Sequence, residues 1–325
     1  MADPTAPAPR RTPRFVQLHH EDRAAVREEL VRGLQAAPAF TSPKYLYDAL
    51  GSRLFDAITE LPEYYPTRTE AGIFAAHAGA MAEALPAGAT LVDLGAGNCA
   101  KAAKLIDRLR PCRYVAVDIS VDYLRQALDG LQCQFPTLEM VGVGQDFSNS
   151  LILPPEARGG PRVLFYPGSS IGNFTPQEAL AFLRQCRAAC AGGALLIGVD
   201  LLKPARVLEP AYDDALGVTA AFNLNLLRHL NTLLGSDFAV ADWRHVAFFN
   251  ASASRIEMHL EARHPVTVCW PGGERRFTGG ERIHTENSCK WPLAAFDTLL
   301  RQAGFSAMRH WTDERGWFAV FAAQA

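Results

Sequence analysis

Between residues 88 and 200, short apolar runs alternate with segments of helical spacing. ATLVDL (89–94), RYVAVD (113–118), LEMVGV (138–143), RVLFY (162–166) and ALLIGV (194–199) are rich in β-branched residues and almost continuously apolar. That is the pattern of a strand buried on both faces. Residues 99–110, 120–132 and 176–190 lie between these runs and place apolar side chains at helical intervals. Strand–helix alternation predicts right-handed crossovers, and so an α/β fold with a parallel sheet. The C-terminus follows a different pattern. KWPLAAFDTLLRQAG (290–304) reads as a helix ending at Gly304, and FSAMRHWT and WFAVFAA then flank the turn DERG. That spacing predicts an antiparallel hairpin.

Two stretches break the alternation. Residues 16–68 read as helical, with helices near 19–36 and 45–60. Thr67-Arg68-Thr69-Glu70 then has the form of a capping box opening a helix over 68–85. Residues 201–287 mix a helix (218–234) with strand-like runs, DWRHVAFFN, SRIEMHLEA, VTVCW and ERRFT. We assign 16–68 and 201–287 to a discontinuous α+β substrate-binding domain, and 69–200 with 288–325 to the sheet domain. Residues 1–15 are Pro/Ala-rich and read as a mobile tail. A ligand is then expected in the cleft between the two units, at the carboxyl ends of the sheet strands.

Composition narrows the function classes. Of 325 residues, 49% are hydrophobic and 20% charged, as in ordinary globular chains, and the formal charge of −2 gives no basic footprint for nucleic acid or anionic membrane. No apolar run approaches the roughly 18 residues of a membrane span. The seven cysteines are scattered with no C-x-x-C pair, which argues against a disulfide framework or zinc ribbon. No metal is expected. The N-terminus lacks the apolar core of a secretory signal, so a reducing cytoplasm is the expected compartment.

The run LVDLGAGNCAK (91–101) reads as strand, glycine turn and helix. Glycines let the backbone approach a ligand closely, and the helix start offers free N–H groups. Gly95-x-Gly97-x-x-Ala100 also satisfies the loose dinucleotide fingerprint, and Asp118 ends the second strand where a carboxylate can grip ribose hydroxyls. Those features suit NAD and S-adenosylmethionine equally. Three others favour S-adenosylmethionine. Asp93 stands two residues before the first glycine, where a pyrophosphate would be repelled. Gln145-Asp146-Phe147 follows the third strand, where Asp146 can accept from an adenine amino group while Phe147 packs on the ring. The C-terminal hairpin completes the outline of a class I methyltransferase, a Rossmann-like sheet, whereas an NAD-binding sheet ends on a parallel strand.

Five segments carry a more specific resemblance: YLYDALGSRLFDAITELPEYYPTRTEA (45–71), GSSIGNFTP (168–176), AYDDALGVTAAFNLNLLRHLN (211–231), RIEMHL (255–260) and TENSCKW (285–291). From about residue 40 onward the chain resembles the histidine-specific Nα-methyltransferases of ergothioneine biosynthesis. The resemblance implies trimethylation of L-histidine to hercynine at the expense of three S-adenosylmethionine. It implies that Asn173, Tyr64 and Tyr212 hold the substrate carboxylate, and that Tyr47 and Asn173 stand at the reacting centre, Tyr47 near the amine. It further implies that Glu286 and Ser288 read the two imidazole nitrogens against a wall formed by Met258. Gly95, Gly97, Lys101, Asp118, Asp146 and Phe147 fall at cofactor positions, with Lys101 toward the cofactor carboxylate. Asn287 departs from the family pattern, which has an apolar residue there; strand alternation would point it away from the pocket. Other readings stay open. Met258 alternates with Ile256 and Leu260 and suits core packing, Lys101 suits a solvated helix face, and the same catalyst could act on another amino acid such as tryptophan. An NAD-dependent oxidoreductase is the more distant alternative. A monomer is expected.

Overall fold

A computed structural model describes residues 11–18, 22–147 and 150–325. The chain opens with β1 (Arg14–Gln17), α1 (Arg23–Gln35), β2 (Ala39–Phe40), α2 (Ala49–Thr59) and α3 (Tyr65–Ala84). The alternating region follows as β3 (Thr90–Leu94), α4 (Ala100–Leu109), β4 (Arg113–Asp118), α5 (Val121–Gln134), β5 (Glu139–Gly144), β6 (Arg162–Tyr166), α6 (Pro176–Cys190) and β7 (Ala194–Asp200). Next come α7 (Ala205–Leu208), α8 (Val218–Leu234), β8 (Trp243–Asn250), β9 (Arg255–Ala262), β10 (Val266–Trp270), β11 (Gly273–Phe277) and β12 (Arg282–Cys289). The C-terminal unit is α9 (Leu293–Gln302), β13 (Ser306–Thr312) and β14 (Phe318–Gln324).

The five apolar runs form the centre of an eight-stranded sheet of order β1-β5-β4-β3-β6-β7-β14-β13. Strands from β1 to β7 run parallel; β14 is antiparallel to both β7 and β13. Both faces are covered, which is why these runs do not alternate. Val92, Val115 and Val141 pack toward α6 and α9, while Leu91, Tyr114 and Met140 pack toward α3, α4 and α5. A second sheet of order β2-β12-β9-β8 buries Ile256, Met258, Leu260 and Ile283 against Leu30 and Leu34 of α1, Ile58 of α2 and Phe222, Leu226 and Leu230 of α8. No helix among the described residues is long and apolar enough to cross a membrane.

Three expectations need correction. The segment from residue 16 is not purely helical, and the tail does not extend to 15: Arg14–Gln17 adds a strand beside β5, with Phe15 opposite Gly142. A Cβ at Gly142 would lie 2.3 Å from the Phe15 ring, so the glycine makes room for it. Residues 1–10 lie outside the described part. Thr67–Glu70 is not a capping box: α3 starts at Tyr65, Thr69 donates to the Tyr65 carbonyl, and Glu70 turns inward to only 1% exposure. The capping box is at α6, where Thr175 and Glu178 satisfy each other's backbone N–H groups. Finally, the expected domain break between residues 287 and 288 falls inside β12.

Candidate active site

The cofactor-side residues gather at the carboxyl ends of β3, β4 and β5. Gly95 (φ +69°) and Gly97 (φ +52°) both need the left-handed conformation that glycine adopts without strain. Asp118 closes the turn: one carboxylate oxygen accepts from the Gly97 N–H at 2.9 Å, the other from the Ser120 N–H at 2.8 Å. Burial raises its pKa, while these backbone donors work in the opposite direction. The turn borders a cleft of about 540 Å³ lined by Gly95, Gly97, Asp118, Asp146 and Phe147, with Tyr47 and Asn173 at one end. Its size suits a nucleoside-bearing ligand. Phe147 is held edge-on to Tyr166, with ring centroids 6.0 Å apart.

The structure does not bring Lys101 to this cleft. Its ammonium pairs at 2.7 Å with Glu70, whose other oxygen accepts the Gly168 N–H at 2.7 Å. Lys101 therefore balances a buried carboxylate that anchors the loop after β6. Asp93 also departs from expectation. It points to the opposite face of the sheet, accepts from the Tyr114 hydroxyl at 2.7 Å, and is pushed up to about 7 by burial. It therefore supplies no argument about the cofactor. Lys44, which the sequence reading passed over, reaches Asp146 at 3.3 Å and Glu29 at 2.9 Å.

A second, smaller chamber of about 50 Å³ adjoins the first. Tyr64, Tyr212, Met258, Glu286 and Ser288 line it, and Tyr47, Phe55, Ser170 and Asn173 line both cavities. Tyr47 and Asn173 therefore stand where the two spaces meet. The register of β9 and β12 sets Met258 directly opposite Glu286. A bulge at Thr285 makes this possible. Were Thr285 instead part of a regular, unbulged ladder, Glu286 would face the other side of the sheet from Ile283.

Burial raises the Glu286 carboxyl to about 7, against the pull of Lys290 and of the Asn173 amide, which donates to it at 3.4 Å. Burial also lifts the Tyr47, Tyr64 and Tyr212 hydroxyls well above their ordinary range. All three stay neutral and present hydroxyls rather than phenolates to the chamber. Tyr47→Phe is accordingly expected to cost about tenfold in kcat, the scale of one positioning hydrogen bond, and to leave both limbs of the pH–rate profile in place. A lost basic limb would instead identify Tyr47 as the base.

Behind the chamber lies a network that the sequence reading missed. Lys290 is 2% exposed, and its ammonium contacts the Tyr212 hydroxyl (2.8 Å), Ser288 Oγ (2.7 Å) and Asp200 (2.7 Å). Asp200 also binds Lys203 and accepts from the Tyr65 hydroxyl at 2.6 Å. Burial opposes ionisation of Asp200, but the two ammonium groups outweigh it and hold its pKa below the ordinary value. The two signals available in the sequence were a lysine inside TENSCK and an acid ending the apolar run of β7.

The order β5-β4-β3-β6-β7-β14-β13, with β14 reversed between two neighbours, is that of the class I S-adenosylmethionine-dependent methyltransferases. Comparison with known proteins narrows the class. Residues 26–325 match the family described as histidine-specific methyltransferase, SAM-dependent, and the chain belongs to that family. It is 41% identical over 303 residues to the histidine N-alpha-methyltransferase of Mycobacterium tuberculosis (strain CDC 1551 / Oshkosh), covering 91% of this chain and 94% of that one. The histidine N-alpha-methyltransferase of Mycolicibacterium smegmatis (strain ATCC 700084 / mc(2)155) matches with the same identity and coverage. Ergothioneine biosynthesis protein 1 of Neurospora crassa (strain ATCC 24698 / 74-OR23-1A / CBS 708.71 / DSM 1257 / FGSC 987) is 32% identical over 282 residues, covering 82% of this chain and 31% of that longer protein.

Proposed function

We propose that the protein moves three methyl groups in turn from S-adenosylmethionine to the α-amine of L-histidine, forming hercynine, the first step of ergothioneine biosynthesis. The observation that carries this reading is the junction of the two cavities at Tyr47 and Asn173, with Glu286 and Met258 on the chamber side. An acceptor seated against Glu286 and Met258 presents its amine at that junction, toward the larger cleft.

The donor set of the larger cleft fits S-adenosylmethionine. Asp118 has acceptor capacity beyond its backbone contacts and suits ribose hydroxyls. Phe147 offers a ring face, and Asp146 an acceptor for an amino group. A Cβ at Gly95 would make only an ordinary contact with Phe147 at 3.7 Å, so the φ of +69° rather than space calls for glycine there. When bound, S-adenosylmethionine supplies an electrophilic methyl group on a sulfonium centre.

The chain's own residues supply position and solvent exclusion. Asn173, Tyr64 and Tyr212 offer neutral donors to the substrate carboxylate. Lys290 stands behind Tyr212, its charge offset by Asp200. Glu286 and Ser288 face the imidazole with an acceptor and a hydroxyl. The Asn173–Glu286 contact, long at 3.4 Å, is the one an incoming substrate replaces. The amine must lose one proton before each of the three attacks, and the quaternary product keeps none. Tyr47 orients the lone pair, and solvent takes the proton. Tyrosine faces suit the quaternary product. Indole has one donor and no acceptor, so tryptophan would leave the Glu286–Ser288 pair half satisfied. Every group comes from one chain, so the reading requires only a monomer. All seven cysteines are free thiols, in keeping with a reducing cytoplasm. The β2-β12-β9-β8 sheet with α1, α2 and α8 forms the proposed substrate-binding unit.

The test is mass spectrometry after incubation with labelled S-adenosylmethionine and each of the twenty amino acids separately. Three methyl groups on histidine alone support the reading. Methylation of another amino acid overturns the Glu286–Ser288 assignment. A pH dependence also follows. Free Glu286, raised to about 7, and free imidazole, near 6.5, are both protonated in mild acid, whereas their complex keeps one shared proton. Calorimetry should show histidine affinity falling about tenfold per pH unit below pH 6, with that slope absent in Glu286→Gln.

A further inference from the structure

The bulge that turns Glu286 inward has a second effect on the outer face of the same sheet. His284 and Asn287 are three residues apart, yet both face outward because Thr285 is the extra residue between them. Across the ladder, His259 is the direct partner of His284, and Glu257 the direct partner of Asn287. The four side chains make a square patch opposite the acceptor chamber. One ligand atom from each of Glu257, His259 and His284 lies within 4.8 Å of the others.

We propose that Glu257, His259 and His284 form a site for one divalent transition-metal ion of the zinc class, with Asn287 as an additional oxygen ligand. Two imidazoles and one carboxylate are a donor set for such ions and a poor one for calcium or magnesium, which prefer all-oxygen shells. The ligands are already oriented from behind. His284 donates Nε2–H to the carbonyl of Glu286 at 3.1 Å, which leaves Nδ1 to ligate. Glu257 gives one oxygen to Arg255 (2.8 Å) and Asn250 (2.9 Å), and turns the other to His259 Nε2 at 3.1 Å. His259 is stacked on Phe248, with centroids 5.4 Å apart and planes 7° apart. One polar atom in the patch, His259 Nδ1, is buried with no hydrogen-bond partner, and Asn287 stands within hydrogen-bonding reach of the His284 side chain.

The protonation states fit a ligand set. Burial lowers His259 to about 4, and burial also lowers His284, so both imidazoles are neutral at pH 7. Glu257 is held at about 2: burial works against this, and Arg255, Asn250 and His259 outweigh it. An ion here would cross-link β9 and β12 at the bulge. The far side of those strands carries Met258, Glu286 and Ser288. The ion takes no part in methyl transfer and acts by holding the register that aims Glu286.

The experiment uses untagged full-length protein stripped with a chelator and titrated with Zn²⁺ by calorimetry and with Co²⁺ by visible absorption. One equivalent should bind, with the cobalt ligand-field band of a nitrogen-containing site, and the melting temperature should rise. His259→Gln/His284→Gln should weaken Zn²⁺ binding at least about 100-fold, and Glu257→Gln about tenfold or more. His264→Gln, at an exposed histidine away from the patch, should leave binding unchanged. Retention of the apo melting temperature in the variants separates ligand loss from misfolding. Absence of saturable one-equivalent binding, or undiminished binding in the double variant, overturns the proposal.

Discussion

Replacing Glu286 with alanine is expected to raise the KM for histidine about 100-fold while leaving the Kd for S-adenosylmethionine unchanged. The magnitude is that of a hydrogen bond to an ionised group, about 2–3 kcal/mol, or about two decades in binding. The selectivity for one ligand follows from position. Glu286 lines the small chamber and not the cofactor cleft. Equal loss of both affinities would mean that the chamber does not hold the acceptor. Glu286→Gln separates recognition from folding. The wild-type carboxyl has a folded pKa near 7, above its ordinary 4.5. The fold therefore disfavours the ionised form, and stability from this group is lost as pH rises from 4.5 through 7. The isosteric amide escapes that loss. At pH 8 the variant should melt higher than the wild type, and the difference should vanish toward pH 4.5. A variant that binds histidine poorly yet is more stable at pH 8 is the signature of a group placed for function at the expense of stability.

Asp200→Asn should destabilise the protein by about 3–5 kcal/mol, the usual result of removing one partner from a buried ion cluster. Asp200 is the counter-charge for both Lys203 and Lys290, and all three are buried. The amide leaves both ammonium groups without the carboxylate they share. Urea unfolding at pH 7 measures the loss. Lys203 already has its pKa lowered to about 8 by burial, from 10.5. Its charged form is thus disfavoured in the fold, so stability is regained as pH rises from the folded toward the unfolded value. In Asp200→Asn that recovery should be larger than in the wild type. Adding Lys290→Met removes one of the unpaired charges and should restore part of the stability. A change within about 0.5 kcal/mol, the range of an ordinary surface substitution, would show that the cluster is hydrated rather than dry. The same network bears on function. Lys290 donates to Tyr212 and Ser288, so a buried charge positions two of the hydroxyls that line the chamber.

The glycine turn and its flanking strand and helix were legible because they are local. Strand, glycine turn and helix occupy eleven consecutive residues, and Asp118 ends the next strand in the chain. Asp93 shows the limit of that reasoning: its spacing to Gly95 was read correctly, but the pleat of β3 turns it away from the cleft. Lys101 shows another limit. A cation after a glycine turn suits a ligand carboxylate, yet a buried carboxylate 31 residues earlier in the chain, Glu70, takes it instead. Strand β1 was hidden because four residues carry no usable period, and only the edge of β5 makes them a strand.

By itself the sequence determined the parallel sheet with its reversed C-terminal strand, the glycine turn and, through resemblance, the family. Those properties rest on short-range periodicity and contiguous motifs, which survive without knowledge of the partners. Tertiary structure alone decided which face Glu286 occupies, because one bulged residue inverts every side chain after it and leaves no mark on composition. It alone joined Tyr47, Tyr64, Asn173, Tyr212 and Glu286 around one chamber, and set Lys290 and Asp200 behind it. Those are long-range closures, fixed by the packing of α8 on β9 and of α2 on α8, and burial, not sequence spacing, sets the protonation of the groups they enclose.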